Sequence, residues 1–173
     1  MRRPRRPQSA LPFDYQAEPD GDEVTAWAGL PLIEEVLRQI RLDKPAEALG
    51  IRERDRGFSE FEMVASAIEL LAAGGECLDD LELLRSDRAL AKLLDRSFPS
   101  ADTMRRFLDA FHDEVLLAQR PADRHEAWIA PESERLQRLA DIERHVVHAM
   151  AKNEPTPLTI ATIDHDATIV EAH

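Results

Sequence analysis

Apolar residues recur through the middle of this 173-residue chain at helical rather than strand spacing. Ile33, Val36, Leu37 and Ile40 fall at i, i+3, i+4 and i+7, and Pro31 suits the first turn of the helix they predict. Ser59 with Glu62 three residues on forms a capping box ahead of a stripe of Phe61, Val64, Ala65 and Ile68, and Gly74-Gly75 ends that helix. Leu78, Leu81 and Leu84 mark a short helix with Asp79 and Asp80 in its first turn. Ser86 or Asp87 caps the next, which packs through Leu90, Leu93 and Leu94. Pro99-Ser100 opens a further helix carrying Met104, Phe107, Leu108 and Phe111. Residues 119–131 read as a loop. A long helix then runs from Glu132 to about Lys152, with Leu136, Leu139, Ala140, Val146, Val147 and Met150 expected inward.

The period changes at the far end. Residues 158–163, Leu-Thr-Ile-Ala-Thr-Ile, follow the helix-stopping Asn153-Glu154-Pro155-Thr156-Pro157 and read as the single strand of the chain. The expected organisation is a disordered arm at 1–21, a helical domain at 22–153, and a strand at 154–173. One strand needs partners for its backbone groups, and no other strand is recognisable upstream.

Composition narrows the class. The 43% hydrophobic fraction can supply a core, and no apolar run approaches the roughly 18 residues of a membrane span. The arginine-rich opening lacks a following apolar region, so it does not read as a secretory signal. Cys77 is the only cysteine, which excludes an internal disulfide and fits a reducing, cytoplasmic setting. The formal charge of -12 argues against a uniformly DNA-attracting surface. Any nucleic-acid contact must use local arginine clusters: Arg2 to Arg6, Arg52-Arg54-Arg56, and Arg105-Arg106.

Candidate chemistry lies in few places. Residues 90–111 have the outline of a helix-turn-helix, with Ser97-Phe98-Pro99-Ser100 as the turn and Arg105 and Arg106 on the outward side of the second helix. Ser100, Thr103, Arg105 and Arg106 are the candidate DNA contacts; an ordinary helical hairpin with solvated arginines is the plainer account. Glu76, Asp79, Asp80 and Glu82 fit helix-dipole stabilisation better than a cation site. Asp141, Glu143, His145 and His148 fit a solvated helical face better than zinc. Asp164 and Asp166 differ, because they project from one side of the apolar strand, where two carboxylates repel unless something neutralises them. A hard divalent cation, Mg2+ or Mn2+, suits such ligands, with edge-strand aspartates as the alternative.

Four segments carry a family resemblance in order: Thr25-Ala26-Trp27-Ala28-Gly29-Leu30-Pro31-Leu32, the Gly74-Gly75-Glu76-Cys77-Leu78-Asp79-Asp80-Leu81-Glu82-Leu83-Leu84 block, Phe98-Pro99-Ser100-Ala101-Asp102-Thr103-Met104-Arg105-Arg106-Phe107-Leu108, and Ile163-Asp164-His165-Asp166-Ala167-Thr168. Together they resemble the amino-terminal part of the group 1 DDE transposases of bacterial insertion sequences. The resemblance implies a mainly α architecture: a multi-helix amino-terminal domain that binds transposon ends, followed by the first β-strand of an incomplete RNase H-like α/β core. It implies metal-assisted DNA cleavage and strand transfer in the full-length enzyme. Asp166, followed by a small and a hydroxyl residue, matches the first catalytic aspartate and metal ligand, with Asp164 as alternative or support. The two further acids of that family do not occur at matching positions here. The expectation is therefore a fragment inactive by itself, binding no metal tightly, and retaining contact with the terminal inverted repeats. The alternatives are a helical protein-interaction module, or a transposition inhibitor that acts through homo-oligomers or assemblies with full-length transposase.

Overall fold

Helix α3 (Glu60–Ala72) is apolar around most of its circumference, and a helix of that kind is stable only when surrounded. In the computed structural model, which describes residues 24–52, 56–121 and 128–153, the other helices are arranged to surround it. α1 (Leu30–Gln39) and α2 (Asp43–Glu47) pack against α3, and α8 (Glu134–Asn153) packs against α2. Between them run a 3-10 turn at Leu78–Asp80, α4 (Leu81–Ser86), α5 (Arg88–Leu94), α6 (Ala101–Asp109) and α7 (Glu114–Leu117). The described residues contain helices and no strand, in line with a mainly α domain. The arm at 1–21 and the strand at 158–163 lie outside the described residues.

Among the described residues two apolar clusters form, and α3 supplies both. Met63 and Leu70 join Leu30, Leu81, Leu84, Leu90, Leu94, Phe98 and Met104 on one side. Phe61, Val64 and Ala65 join Leu37, Leu42, Ala46, Leu49, Phe111 and Ile142 on the other. Removing one such leucine side chain from water contributes about 1.5–3 kcal/mol.

The ends of α3 follow from its sequence. Ser59 Oγ accepts the Glu62 amide at 3.2 Å and Glu62 Oε2 accepts the Ser59 amide at 2.7 Å, the expected reciprocal cap. At the other end Gly74 takes φ +83°, and the Gly74 and Gly75 amides donate to the Leu71 and Leu70 carbonyls at 3.0 and 2.9 Å. A Cβ on Gly75 would lie 2.8 Å from Leu70 Cγ and 3.0 Å from the Leu70 carbonyl oxygen, so the chain passes too close there for a larger residue. The Glu76 and Cys77 amides then donate to Asp80 Oδ2 at 2.8 and 3.1 Å, which holds the Asp80 carboxyl below its usual range. The Gly-Gly-Glu block is thus a built corner, closed by the Asp80 carboxylate on two backbone amides.

α8 is rotated from the orientation its apolar pattern predicts. Leu136, Leu139, Val147 and Met150 are 41%, 39%, 62% and 64% exposed, while Ile142 is buried. Polar anchors set this rotation. Arg135 donates to the Ala110 carbonyl at 2.7 Å, Arg138 to the Ala48 carbonyl at 2.9 Å, and His145 Nε2 lies 2.6 Å from the Ile40 carbonyl. Ala110, Ala48 and Ile40 are the C-caps of α6, α2 and α1, whose end carbonyls lack helical partners. His145 therefore leaves the solvated face expected for it, whereas Asp141, Glu143 and His148 remain exposed. The helix begins at Glu134 rather than Glu132. Val36, Leu93 and Leu108 also point outward from helices whose stripes were expected to bury them.

Candidate nucleic-acid interface

Asp87, not Ser86, caps α5, accepting the Leu90 amide at 2.8 Å. α5 ends on Asp95 in the left-handed region, φ 56°, and the chain turns through Arg96, Ser97, Phe98 and Pro99. Phe98 and Pro99 are buried, which fixes the turn. Ser100 Oγ accepts the Thr103 amide at 3.2 Å and starts α6. Met104 and Ala101 point into the core, so Asp102, Thr103, Arg105 and Arg106 are left on the outer side.

The sequence-derived candidates separate into two groups. Thr103 and Arg106 line a cleft of about 450 Å³ together with Ile51, Arg52, Arg56, Gly57, Phe58, Glu60, Met63 and Phe107. The lining is mostly apolar, and it includes exposed arginines from two distant stretches of sequence. Arg105 points away, 4.0 Å from Asp79, and Ser100 is used as the cap. Arg106 Nη2 lies 2.6 Å from Asp102 Oδ2, an exposed pair that water screens heavily. Glu60 is buried at the cleft and accepts the Arg52 amide at 2.8 Å. Sequence reading noted Arg52 and Arg56 as a cluster but had no periodicity that would bring them to α6. Arg54 lies outside the described residues.

Behind the turn is a charged cluster that pattern reading missed. Arg96 Nε donates to Glu34 Oε2 at 2.6 Å, its Nη1 to Ser66 Oγ at 3.1 Å, and its Nη2 to Glu69 Oε2. The Arg96, Glu34 and Glu69 side chains are only 6%, 5% and 0% exposed. Glu34 also pairs with the half-exposed Arg38 at 2.5 Å. The only sequence signal was an acid within each of two otherwise apolar helix faces.

A family model described as transposase DDE domain group 1 matches residues 14–173. The chain belongs to the group 1 DDE transposase family. Neither a curated protein nor a solved structure matches it. Membership carries a transposase-related function and the use of divalent metal by the family's full-length enzymes. Among the described residues no three His, Cys, Asp or Glu side chains converge where a cation would sit, and the Glu76, Asp79, Asp80, Glu82 group is no exception. The described part of this transposase chain therefore does not fit the metal. Asp164 and Asp166, the expected ligands, lie outside the described residues. No described helix is long and apolar enough to cross a membrane.

Proposed function

We propose that the helical region of this transposase chain binds the DNA ends of an insertion sequence through the cleft between the Arg52–Phe58 stretch and α6. The observation that carries this reading is that Arg52, Arg56 and Arg106 all line one cleft. Guanidinium groups suit phosphate oxygens by charge and by their fork of donors. On a chain of net charge -12 such a site must act locally, and an approaching phosphate would replace Asp102 as the partner of Arg106. Thr103 lines the same cleft, and Arg105 and the cap residue Ser100 lie beside it as secondary contacts.

For the chemistry, we assign Asp166, supported by Asp164, to hold Mg2+ or Mn2+ in the family's DNA cleavage and strand transfer. A two-metal site needs carboxylates beyond this pair. The reading accordingly gives the 173 residues end binding without cleavage. A gel-shift titration with labelled terminal inverted repeats tests the binding. Retarded complexes whose affinity falls steeply with salt are expected. Absent or salt-independent binding would reject the reading.

Assembly with another transposase chain, as a homo-oligomer or as an inhibitor of the full-length enzyme, is supported by α8. Leu136, Leu139, Val147 and Met150 are solvent-facing on one side of it, around the exposed Glu143. Light scattering separates the readings: a monomer at high concentration, alone and with intact transposase, sinks this one.

A further inference from the structure

Glu34 on α1 and Glu69 on α3 converge on the single guanidinium of Arg96, which precedes α6. Counted as ions, the buried group holds two negative charges against one positive, and the second positive group, Arg38, is 51% exposed and bound to Glu34. Ser66, the α3 group that completes the surroundings, is neutral and already accepts from Arg96. Lys92 and Asp95 at the end of α5 are on the exposed side. One atom betrays the imbalance. Glu69 Oε1 is buried with no hydrogen-bond partner among the described residues, although an ionised oxygen in an apolar interior strongly demands a donor.

We propose that Glu69 keeps its carboxyl proton in the folded domain and turns it toward Glu34, making a pH-sensitive latch that ties α1, α3 and the α5–α6 turn together. A protonated carboxyl turns the orphan acceptor into a donor directed at the neighbouring carboxylate. It also reduces the buried charges to one negative and one positive. Burial, chiefly, with Glu34 as a lesser contribution, pushes Glu69 up to about 7 against the pull of Arg96. Phe98 lies under the Arg96 guanidinium at 4.9 Å, so the group that reads the charge also rests on the buried residue of the turn.

Because this carboxyl binds its proton more tightly folded than unfolded, its contribution is fully present below the ordinary value of 4.5 and fades as pH rises to about 7. In that window each pH unit favours unfolding by up to about tenfold in the equilibrium constant. The test is urea unfolding of the full chain across this range, with Glu69→Gln beside it. The Gln amide donates to Glu34 as the acid does but does not titrate, so the variant is expected to lose the slope and to exceed the native chain in stability above pH 8 or so. Infrared spectra of the native chain labelled with 13C at glutamate carboxyls give a second reading, needed if the variant does not fold. A protonated carboxyl band that persists near pH 6 and disappears above about 8 is expected. A flat native profile, a variant that keeps the native slope, or no protonated band near pH 6 would each overturn the retained Glu69 proton.

Discussion

Asp87 Oδ2 accepts the Thr25 hydroxyl at 2.6 Å across 62 positions of sequence, while Asp87 Oδ1 accepts the Leu90 amide at 2.8 Å. One carboxylate thus starts α5 and ties it to the segment ahead of α1. Thr25 Oγ1 in turn accepts the Trp27 amide at 3.0 Å. Asp87→Ala removes a cap and a long-range bond and is expected to cost about 2 kcal/mol. Thr25→Val is expected to cost about 1–2 kcal/mol, but distinctly less in the Asp87→Ala background, where only the Trp27 bond remains to be lost. Urea denaturation of the four proteins measures the coupling, and strict additivity would show that the two residues do not communicate.

The two glycines after α3 should respond to alanine differently. At Gly74 a Cβ meets nothing within 4 Å, and the cost is that of the positive φ, about 1 kcal/mol. At Gly75 the added methyl collides with Leu70, including its backbone oxygen, and the α3 corner must shift, which typically costs about 1–3 kcal/mol. Thermal midpoints ordered native, Gly74→Ala, Gly75→Ala are expected. The reverse order for the variants would place the strain elsewhere.

Acid should weaken the same corner. The Glu76 and Cys77 amides lower the Asp80 carboxyl below its ordinary 3.8, so Asp80 stabilises the fold above that value and the contribution is lost as pH falls through the lowered one. Asp80→Asn is expected to make the acid limb of the stability profile shallower while leaving the profile above pH 5 or so parallel to the native one. Circular dichroism through an acid titration follows both.

For end binding, Arg56→Ala and Arg106→Ala should each weaken the complex for any sequence and reduce its salt slope by about 1. Arg105→Ala should matter less, since Arg105 lies toward Asp79 and does not line the cleft. Asp102→Asn, which releases Arg106 from its partner at 2.6 Å, should tighten binding. Fluorescence anisotropy at several salt concentrations checks all four. Equal effects at Arg105 and Arg106 would shift the interface from the cleft to the open face of α6.

Much of the helical plan was legible because local chemistry specifies it. Ser59 with Glu62, Gly74-Gly75, and Ser100 mark ends that the structure places as read. α2 and α7 escaped notice because helices of 5 and 4 residues are too short for an apolar period to show. The rotation of α8 was not readable, since apolar spacing cannot weigh Arg138 and His145 reaching carbonyls far away in sequence. The same limit hid the Glu34, Glu69 and Arg96 meeting, in which α1 turns an acid inward and leaves Val36 outside. The arginines of the cleft were visible one stretch at a time; only the fold of the segment before α3 joins Arg56 to Arg106.

Helix α3 serves as the common wall of both apolar clusters, with Met63 and Leu70 facing one and Phe61 and Val64 the other. Neither side can be taken down while the other stands. The region should melt in a single step, give proteases no halfway product, and tolerate no cut within that helix during recombination or gene rearrangement.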